Sequence, residues 1–181
     1  IKEKNVLVVA SPGSGKTTVI INRVNHLIED LKINEGNIIV ITFTRAAADN
    51  MRNRYKNIFK KEKAPFFGTF HGLFYKMLLR EGYDIKIMDG GKGHVIIKNV
   101  LSRYFDDVND DKVREVMNNI SMFKTSLWTI DEYKSTVSKD IFLECLKVYE
   151  SSKEREGLWD FDDLSVTVLK LFTENKRVLE K

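Results

Sequence analysis

Cysteine and proline are scarce in this chain of 181 residues, which has one cysteine and two prolines. A single cysteine excludes an internal disulfide, and the place of Cys145 in an apolar helical series predicts a buried core residue rather than a reactive thiol. So few prolines, together with only ten glycines, argue against long flexible linkers. No apolar run reaches membrane-spanning length, and no signal peptide is visible. The sequence therefore predicts a cytoplasmic protein without a membrane partner.

The residues that are present suit one domain, or one domain with a sizeable insert. Hydrophobic residues make up 43% of the chain, which is enough for a core. The net charge of +4 conceals an asymmetry, because residues 1–80 have 14 Lys and Arg against 6 Asp and Glu, whereas residues 81–181 have 16 against 20. Since basic surface attracts anions, we expect an anionic partner to bind the first half.

The most informative segment is Asn5–Thr18, which reads NVLVVASPGSGKTT. It predicts a short buried strand at Val6–Ala10, a Gly-rich turn at Ser11–Gly15 and a helix from Thr17 to about Leu31. A strand, a Gly-rich loop, Lys-Thr and a helix form the required context of a phosphate-binding loop. An ordinary glycine turn between a strand and a helix is the alternative.

The residue types in this loop suit the binding of a nucleotide and Mg²⁺. Gly13 and Gly15 let backbone N–H groups point at a phosphate, and the helix directs its positive end at the same anion. Lys16 can reach the β- and γ-phosphates and the Thr17 hydroxyl can bind Mg²⁺, so these two are the candidate catalytic residues. The predicted cofactor-binding residues are Ala10, Ser11, Pro12, Gly13, Ser14, Gly15, Lys16, Thr17 and Thr18.

Strand and helix alternate over about the first 80 residues. Buried strands are predicted at Ile38–Phe43 and Phe66–Phe70, and a helix is predicted over Arg45–Lys61. The inward residues of this helix would be Ala47, Met51, Tyr55 and Ile58. Such alternation is typical of a parallel sheet with crossover helices.

The alternation stops near Gly82, and after an extended piece at Asp84–Met88 every periodic segment to Trp159 is helical. The capping-box pattern at Thr129–Glu132 predicts the start of one of these helices. This region has the pattern of an all-helical subdomain inserted into an α/β domain.

Three carboxylates, of Asp160, Asp162 and Asp163, precede a last predicted helix. Their spacing invites a metal-site hypothesis. However, Asp favours helix N-caps and first turns, so capping is the preferred interpretation.

Two polar and aromatic segments follow the predicted strands. Phe43, Thr44 and Arg45 lie at the end of the strand predicted at Ile38–Phe43. Thr69 and His71 lie at the end of the strand predicted at Phe66–Phe70. Ligands of doubly wound sheets bind beyond the carboxyl ends of the strands, so we expect the first segment to share an edge with the phosphate loop and the second to sit in the same way. An aromatic ring, a hydroxyl and a cation suit single-stranded nucleic acid, whereas a core Phe43, a solvated basic helix face and a capping or core His71 are the alternatives.

In their order and spacing these segments resemble the N-terminal region of UvrD/Rep-type superfamily 1 DNA helicases. Ala10–Thr17 resembles motif I, Thr42–Met51 motif Ia, Thr69–Gly72 motif Ib, and Asp160–Leu164 the block that follows the family's inserted helical subdomain. The resemblance implies an α/β P-loop NTPase (RecA-like) fold with an incomplete parallel sheet. Residues 1–82 would be part of the first motor domain, residues 83–159 the all-helical inserted subdomain, and residues 160–181 the return toward the motor domain.

The resemblance also implies a function. Motif I would bind ATP and Mg²⁺, and single-stranded DNA would be contacted by Phe43, Thr44, Arg45, Thr69 and His71. The activity would be ATP-driven translocation on single-stranded DNA with unwinding of duplex, on junctions of single and double strands, by a monomer that works with accessory repair or replication proteins. Because the Asp-Glu motif and the second motor domain are not in the chain, we expect this piece alone to be a poor ATPase.

Departures from the family pattern concern single cations. Arg45-Ala46 stands where the family often has Asn-Lys, and Thr18 stands where a basic residue often follows Gly-Lys-Thr. The alternatives are a nucleotide-binding module without DNA contacts and a small P-loop kinase. A kinase would need an acceptor-binding Asp at a strand end and an Arg-rich lid, and the sequence has neither.

Overall fold

The computed structural model describes residues 5–175, which form a mostly helical α/β chain with two small parallel sheets. The chain divides into two compact units, residues 1–73 and 74–181. In the range from 5 to 175, no helix combines the length and the apolar character needed to cross a membrane.

The first unit packs helices against a two-stranded parallel sheet. Its elements are α1 (Lys16–Glu29), β1 (Ile39–Ile41), α2 (Arg45–Phe59), β2 (Phe66–Gly68) and the first turn of α3 (Phe70–Arg80). β1 and β2 pair in parallel register, with Ile39 opposite Phe66 and Ile41 opposite Gly68. The predicted alternation of strand and helix is confirmed for these elements.

The core of the first unit joins α1, α2 and both strands. Its buried members are Ile21, Val24, Ile38, Met51, Tyr55 and Phe67. The rings of Tyr55 and Phe67 lie 5.9 Å apart, and the Arg52 guanidinium donates a hydrogen bond to the Phe67 carbonyl. These contacts fix α2 against β2 and, through the apolar cluster, against α1.

The inward face predicted for α2 is confirmed in its middle and wrong at its ends. Met51 and Tyr55 are buried as expected, but Ala48 rather than Ala47 is buried, and Ile58 is exposed. Ala48 lies three residues before Met51 and Tyr55 four after it, so the buried stripe follows the spacing of neighbouring helical turns.

The buried strand predicted at Val6–Ala10 is not formed. The segment has no strand assignment and its side chains are exposed, with Leu7 at 89%. A strand of a parallel sheet is buried only when neighbouring strands take its hydrogen bonds and helices cover its faces. Among residues 5–175, no strand pairs with this segment, so its apolar side chains have no surface to pack against.

The second unit is dominated by helices. Beyond the rest of α3 its elements are β3 (Lys86–Ile87), α4 (Gly90–Leu101), α5 (Asp110–Ser126), α6 (Lys139–Glu156), β4 (Leu158–Trp159) and α7 (Phe161–Glu174). β3 pairs with β4 in parallel. The predicted extended piece contains β3, whereas β4 was not predicted, because two residues after a helix are too short for a periodic signal.

Two apolar clusters stabilise the second unit. The larger joins α4, α5 and α6 and includes Ile97, Val116, Phe142 and Cys145, and the smaller joins α3 and α7 through Leu78 and Leu164. Cys145 is fully buried, as predicted, and burial raises the pKa of its thiol to about 11. The thiol is therefore protonated at neutral pH and is not a nucleophile.

The helix predicted to begin at Thr129 is absent. One of the two bonds of a capping box exists, because the Thr129 N–H donates to the Glu132 carboxylate at 2.9 Å. The Thr129 hydroxyl donates to the same carboxylate at 2.8 Å, and the Glu132 N–H bonds to the Thr129 carbonyl. However, only a turn follows. The buried Asn119 amide oxygen accepts hydrogen bonds from the Tyr133 hydroxyl and the Thr136 N–H, at 3.0 and 3.1 Å. These tertiary bonds hold the segment in an irregular conformation that the local pattern did not reveal.

Candidate functional site

The loop before α1 contains two glycines in the left-handed backbone region. Gly13 and Gly15 have φ values of +77° and +81°. Residues with a Cβ atom adopt such values only with backbone strain. Among residues 5–175, apart from the glycine itself and its two chain neighbours, no heavy atom lies within 4 Å of the position that a Cβ would take at either glycine. The loop is closed by a hydrogen bond from the Ser14 N–H to the Ser11 carbonyl, at 3.3 Å. The backbone on this side is therefore open to a ligand.

Lys16 is held over this loop. Its Nζ donates to the carbonyl oxygens of Ala10 and Ser11, at 3.1 and 2.7 Å. The side chain is exposed, so these bonds position an ammonium group that solvent or an anion can still reach. Neutral carbonyl partners leave its positive charge uncompensated.

The first turn of α1 offers free backbone donors beside that ammonium. Gly15 is the N-cap and its lack of a side chain leaves the turn uncapped, and the Val19 N–H is the first to bond back, to the Gly15 carbonyl at 3.0 Å. The N–H groups of Lys16, Thr17 and Thr18 have no acceptor within the described part of the chain. These donors, the positive helix end and the Lys16 charge together favour an anion.

A cation from α2 joins this turn, and sequence reasoning missed it. The Arg54 guanidinium donates from Nη2 to the Thr18 hydroxyl oxygen at 3.1 Å, although the two residues are 36 positions apart. The only signal in the sequence was the excess of Lys and Arg between Arg45 and Lys63. That excess does not say which cation faces α1.

The two segments predicted to bind nucleic acid leave the sheet side by side. The Thr42 N–H donates to the Gly68 carbonyl at 2.8 Å and extends the pairing of β1 and β2 by one residue. The chain then continues into Phe43 on one strand and into Thr69 on its neighbour. The two segments therefore share one sheet edge. The expectation that the phosphate loop lies on that edge was based on the strand at Val6–Ala10, which is not formed.

Phe43 is not a core residue, because it is 99% exposed. Its neighbour Arg45 has a side chain that is 94% exposed, with Nε 3.9 Å from the Asp49 carboxylate. An aromatic ring and a cation thus extend into solvent at the end of β1. The presence of an aromatic residue at position 43 is therefore not explained by packing in the core.

Thr44 and Thr69 cap the helices that start at this edge. The Thr44 hydroxyl oxygen accepts from the Ala47 N–H at 3.2 Å, and the Thr69 hydroxyl oxygen accepts from the Gly72 N–H at 3.1 Å. Each hydroxyl keeps its own hydrogen for a further acceptor. His71 lies in the first turn of α3 and is exposed. The edge therefore carries two positive helix ends together with hydroxyl donors.

The acidic block before α7 acts as a helix cap. Asp160 is the N-cap, and its carboxylate accepts from the Asp163 N–H at 2.9 Å while the Asp163 carboxylate accepts from the Asp160 N–H at 2.8 Å. The predicted capping role is confirmed.

The same carboxylates bind two lysines. Lys124 of α5 and Lys153 of α6 both lie within 2.8 Å of Asp160 and of Asp163. Oxygens of Glu150, Asp160 and Asp163 come within 4.8 Å of one another, which is a spacing suited to a cation. The two ammonium groups already bind all three carboxylates, so the structure gives the metal interpretation no support.

Opposite charges outweigh burial in this cluster. Burial alone would raise the pKa of Asp160, but hydrogen bonds from Lys124 and Lys153 keep that pKa well below its usual range. Burial alone would lower the pKa of Lys124, but hydrogen bonds to Asp160 and Asp163 raise it above its usual range. Asp160 and Lys124 are therefore both charged at neutral pH.

Comparison with known proteins identifies relatives along the whole chain. Residues 1–181 match the family model described as the UvrD/REP helicase N-terminal domain. A Mycoplasma capricolum protein named "Probable DNA helicase II homolog" is 32% identical over 99% of this chain and 27% of its own length. The ATP-dependent DNA helicase PcrA of Leuconostoc citreum is 30% identical over 99% of this chain and 25% of its own length. The chain thus spans about a quarter of the length of these relatives.

Proposed function

Because this chain belongs to the UvrD/REP helicase family, whose N-terminal domain model it matches throughout, we propose that it forms the ATP-binding part of an ATP-dependent DNA helicase motor. The Leuconostoc citreum relative is an ATP-dependent DNA helicase by name, and the Mycoplasma capricolum relative is a probable DNA helicase II homologue by name. The observation that carries the proposal is the Lys16 ammonium, held over an open Gly-rich loop beside three N–H groups that have no acceptor among the described residues. Translocation on single-stranded DNA and unwinding of duplex by a cytoplasmic monomer belong to this proposal.

The phosphate loop supplies the groups that a nucleotide and Mg²⁺ need. The loop from Ala10 to Gly15 would hold the phosphates with its backbone N–H groups, and Lys16 would bind the β- and γ-phosphates. The half-buried Thr17 would bind Mg²⁺ through its hydroxyl. Hydrolysis of ATP held here would supply the free energy for movement along DNA.

The shared edge of β1 and β2 is proposed as the site for single-stranded DNA. Phe43 offers a ring on which a base can stack, and Arg45 offers a charge for a phosphate. Thr44, Thr69 and His71 lie on the same edge, where the hydroxyls and the helix ends suit a sugar-phosphate backbone. An α/β motor part at residues 1–82, an inserted subdomain at 83–159 and a return at 160–181 complete the proposal.

A nucleotide-binding module without DNA contacts is the second candidate. Such a module does not need an exposed aromatic ring beside an exposed arginine, since the Phe43 ring lies outside the core and Arg45 makes a surface ion pair with Asp49. Titration with a labelled single-stranded oligonucleotide distinguishes the two candidates.

Replacing Phe43 with alanine is expected to lower the affinity of the intact protein for single-stranded DNA about tenfold, with little dependence on base sequence. Stacking of one base on one aromatic ring is worth about 1–3 kcal/mol. Because Phe43 is fully exposed, the melting temperature should not change. Fluorescence anisotropy and thermal melting on one preparation check both expectations. Ile58→Ala is the matched control, since Ile58 is an exposed apolar residue in the last turn of α2. An unchanged affinity in Phe43→Ala would remove the stacking role.

Replacing Arg45 with alanine is expected to reduce the salt dependence of the affinity for single-stranded DNA. Loss of one phosphate contact should reduce the slope of log affinity against log salt concentration by about 0.7 for a single strand. Phe43→Ala should leave that slope unchanged, because stacking releases no counterion. Anisotropy titrations at several salt concentrations measure it. Equal slopes for the Arg45 variant and the wild type would place Arg45 away from the DNA.

A further inference from the structure

Arg54 has no part in the motifs recognised in the sequence, yet it reaches the phosphate loop. We propose that Arg54 of α2 is a further nucleotide-binding residue, whose guanidinium binds the phosphates on the Thr18 side of the loop. The inference rests on the proposed function, because it needs a phosphate group at the first turn of α1.

The fold delivers the guanidinium to this place. Arg54 is followed directly by Tyr55, which is fully buried in the cluster that holds α2 against α1 through Ile21 and Val24. Its Nη2 donates to the Thr18 hydroxyl oxygen at 3.1 Å. Thr18 follows Lys16 and Thr17 in the first turn of α1. The arginine is therefore positioned by the core of the unit.

The charge of Arg54 is not neutralised by the protein. Arg45 and Arg52 both lie near the Asp49 carboxylate, and Lys61 pairs with Glu29. Over the described range, no carboxylate lies within 4.0 Å of the Arg54 guanidinium, which donates instead to a neutral hydroxyl. A guanidinium has five N–H donors, so most of them stay available to an anion.

The location is unfavourable for a cation unless an anion binds. The positive end of a helix repels cations, and here Lys16 and Arg54 both approach the uncapped end of α1. A phosphate bound between the two cations turns this repulsion into attraction, and a guanidinium binds phosphate with paired hydrogen bonds.

The position also predicts which phosphates are contacted. In a phosphate-binding loop the backbone N–H groups hold the α- and β-phosphates, and the lysine reaches the β- and γ-phosphates. Arg54 approaches Thr18, beyond Thr17 along the helix from Lys16. We therefore assign Arg54 to the α- and β-phosphates, which ATP and ADP share.

The test measures the affinity of the intact protein for Mg²⁺-ATP and Mg²⁺-ADP by calorimetry, without DNA. Arg54→Ala should weaken both nucleotides by about tenfold and by the same factor, as expected for loss of a hydrogen bond to a charged group. Arg54→Lys should recover part of the affinity, because lysine keeps the positive charge but lacks the paired N–H donors of the guanidinium. Lys63→Ala, which removes an exposed cation beyond the end of α2, is the control and should bind both nucleotides as the wild type does.

Two further variants separate the explanations. If Arg54→Ala and Thr18→Val lower the melting temperature alike and leave both affinities unchanged, Arg54 only joins two helices and the inference is overturned. If Arg54→Ala reduces the salt dependence of DNA binding and not the nucleotide affinity, Arg54 belongs to the DNA surface and the inference again fails. Lys16→Ala in the same series reports on the proposed function itself. Loss of binding in Lys16→Ala with normal binding in Arg54→Ala rejects only the role of Arg54.

Discussion

Replacing Lys16 with alanine is expected to abolish measurable ATP binding by the intact protein. The ammonium is already held over the loop by the carbonyls of Ala10 and Ser11, so a nucleotide would meet a positioned charge. Each hydrogen bond to a charged group contributes about 1.5–3 kcal/mol, and loss of two of them reduces affinity about 100-fold or more. The measurement is calorimetric titration with Mg²⁺-ATP.

The fold of this variant should be intact, because the Lys16 side chain is exposed and belongs to no apolar cluster. Circular dichroism and thermal melting provide that check. Thr17→Ala is the companion variant, and it should weaken binding in the presence of Mg²⁺ more than in its absence. A Lys16→Ala protein that is folded and binds ATP as the wild type does would end the phosphate-loop assignment.

The sequence predicted the local part of this site because its signals are local. Glycines at Gly13 and Gly15 and the Lys-Thr pair that follows define the loop without reference to any other part of the chain. The order of helices and strands from α1 to α3 follows equally from apolar spacing. The capping role of Asp160 is likewise local, since it depends on four consecutive residues.

Features that depend on distant residues could not be predicted. The phase of α2 is set by the neighbours of Ala48 and Tyr55 and not by its own composition. The missing helix at Thr129 depends on bonds from Asn119, and the exposed segment at Val6–Ala10 depends on strands that would have to pair with it. Arg54 meets Thr18 only because α1 and α2 pack together. Apolar periodicity predicts local secondary structure and does not identify such distant partners.

The buried Lys153 is a different case, because the sequence contained a signal for its burial. Lys153 continues the inward series of Phe142, Cys145 and Tyr149 on α6, at the position where an apolar residue is expected. A lysine in such a series needs carboxylate partners, since an unpaired buried charge is costly. The acidic block at Asp160 and Asp163 follows seven and ten residues further along the chain, beyond the end of the helix. The pairing could have been proposed from the sequence.

The cluster joins three helices by charge. Lys153 is only 3% exposed and lies 2.8 Å from Asp160, 2.7 Å from Asp163 and 3.0 Å from Glu150. Lys124 brings α5 to the same carboxylates. Removing one member of such a cluster leaves the others buried and unbalanced, which costs more than the interaction contributes when complete.

Replacing Lys153 with methionine is therefore expected to lower the free energy of unfolding by about 3–5 kcal/mol. The methionine keeps the length of the side chain, so the loss reports on charge and not on a cavity. Thermal melting should show a decrease of about 10–20 °C. Lys139→Met on the same helix is the matched control. Lys139 pairs with Asp131 on the surface and both side chains are exposed, so its removal should cost less than about 1 kcal/mol.

The pH dependence of the two proteins separates charge from packing. The pKa of Asp160 is lowered in the folded chain by Lys124 and Lys153, after their hydrogen bonds outweigh the effect of burial. A carboxylate whose pKa is lower in the folded chain than in the unfolded chain stabilises the fold when the pH is above the unfolded pKa, which is about 3.9 for Asp. This stabilisation is lost as the pH falls through the folded pKa. The difference in unfolding free energy between the wild type and Lys153→Met should therefore be full at pH 7 and should narrow below about pH 4. A difference that is constant with pH, or a loss in Lys153→Met no larger than in Lys139→Met, would show that the cluster does not stabilise the second unit through its charges.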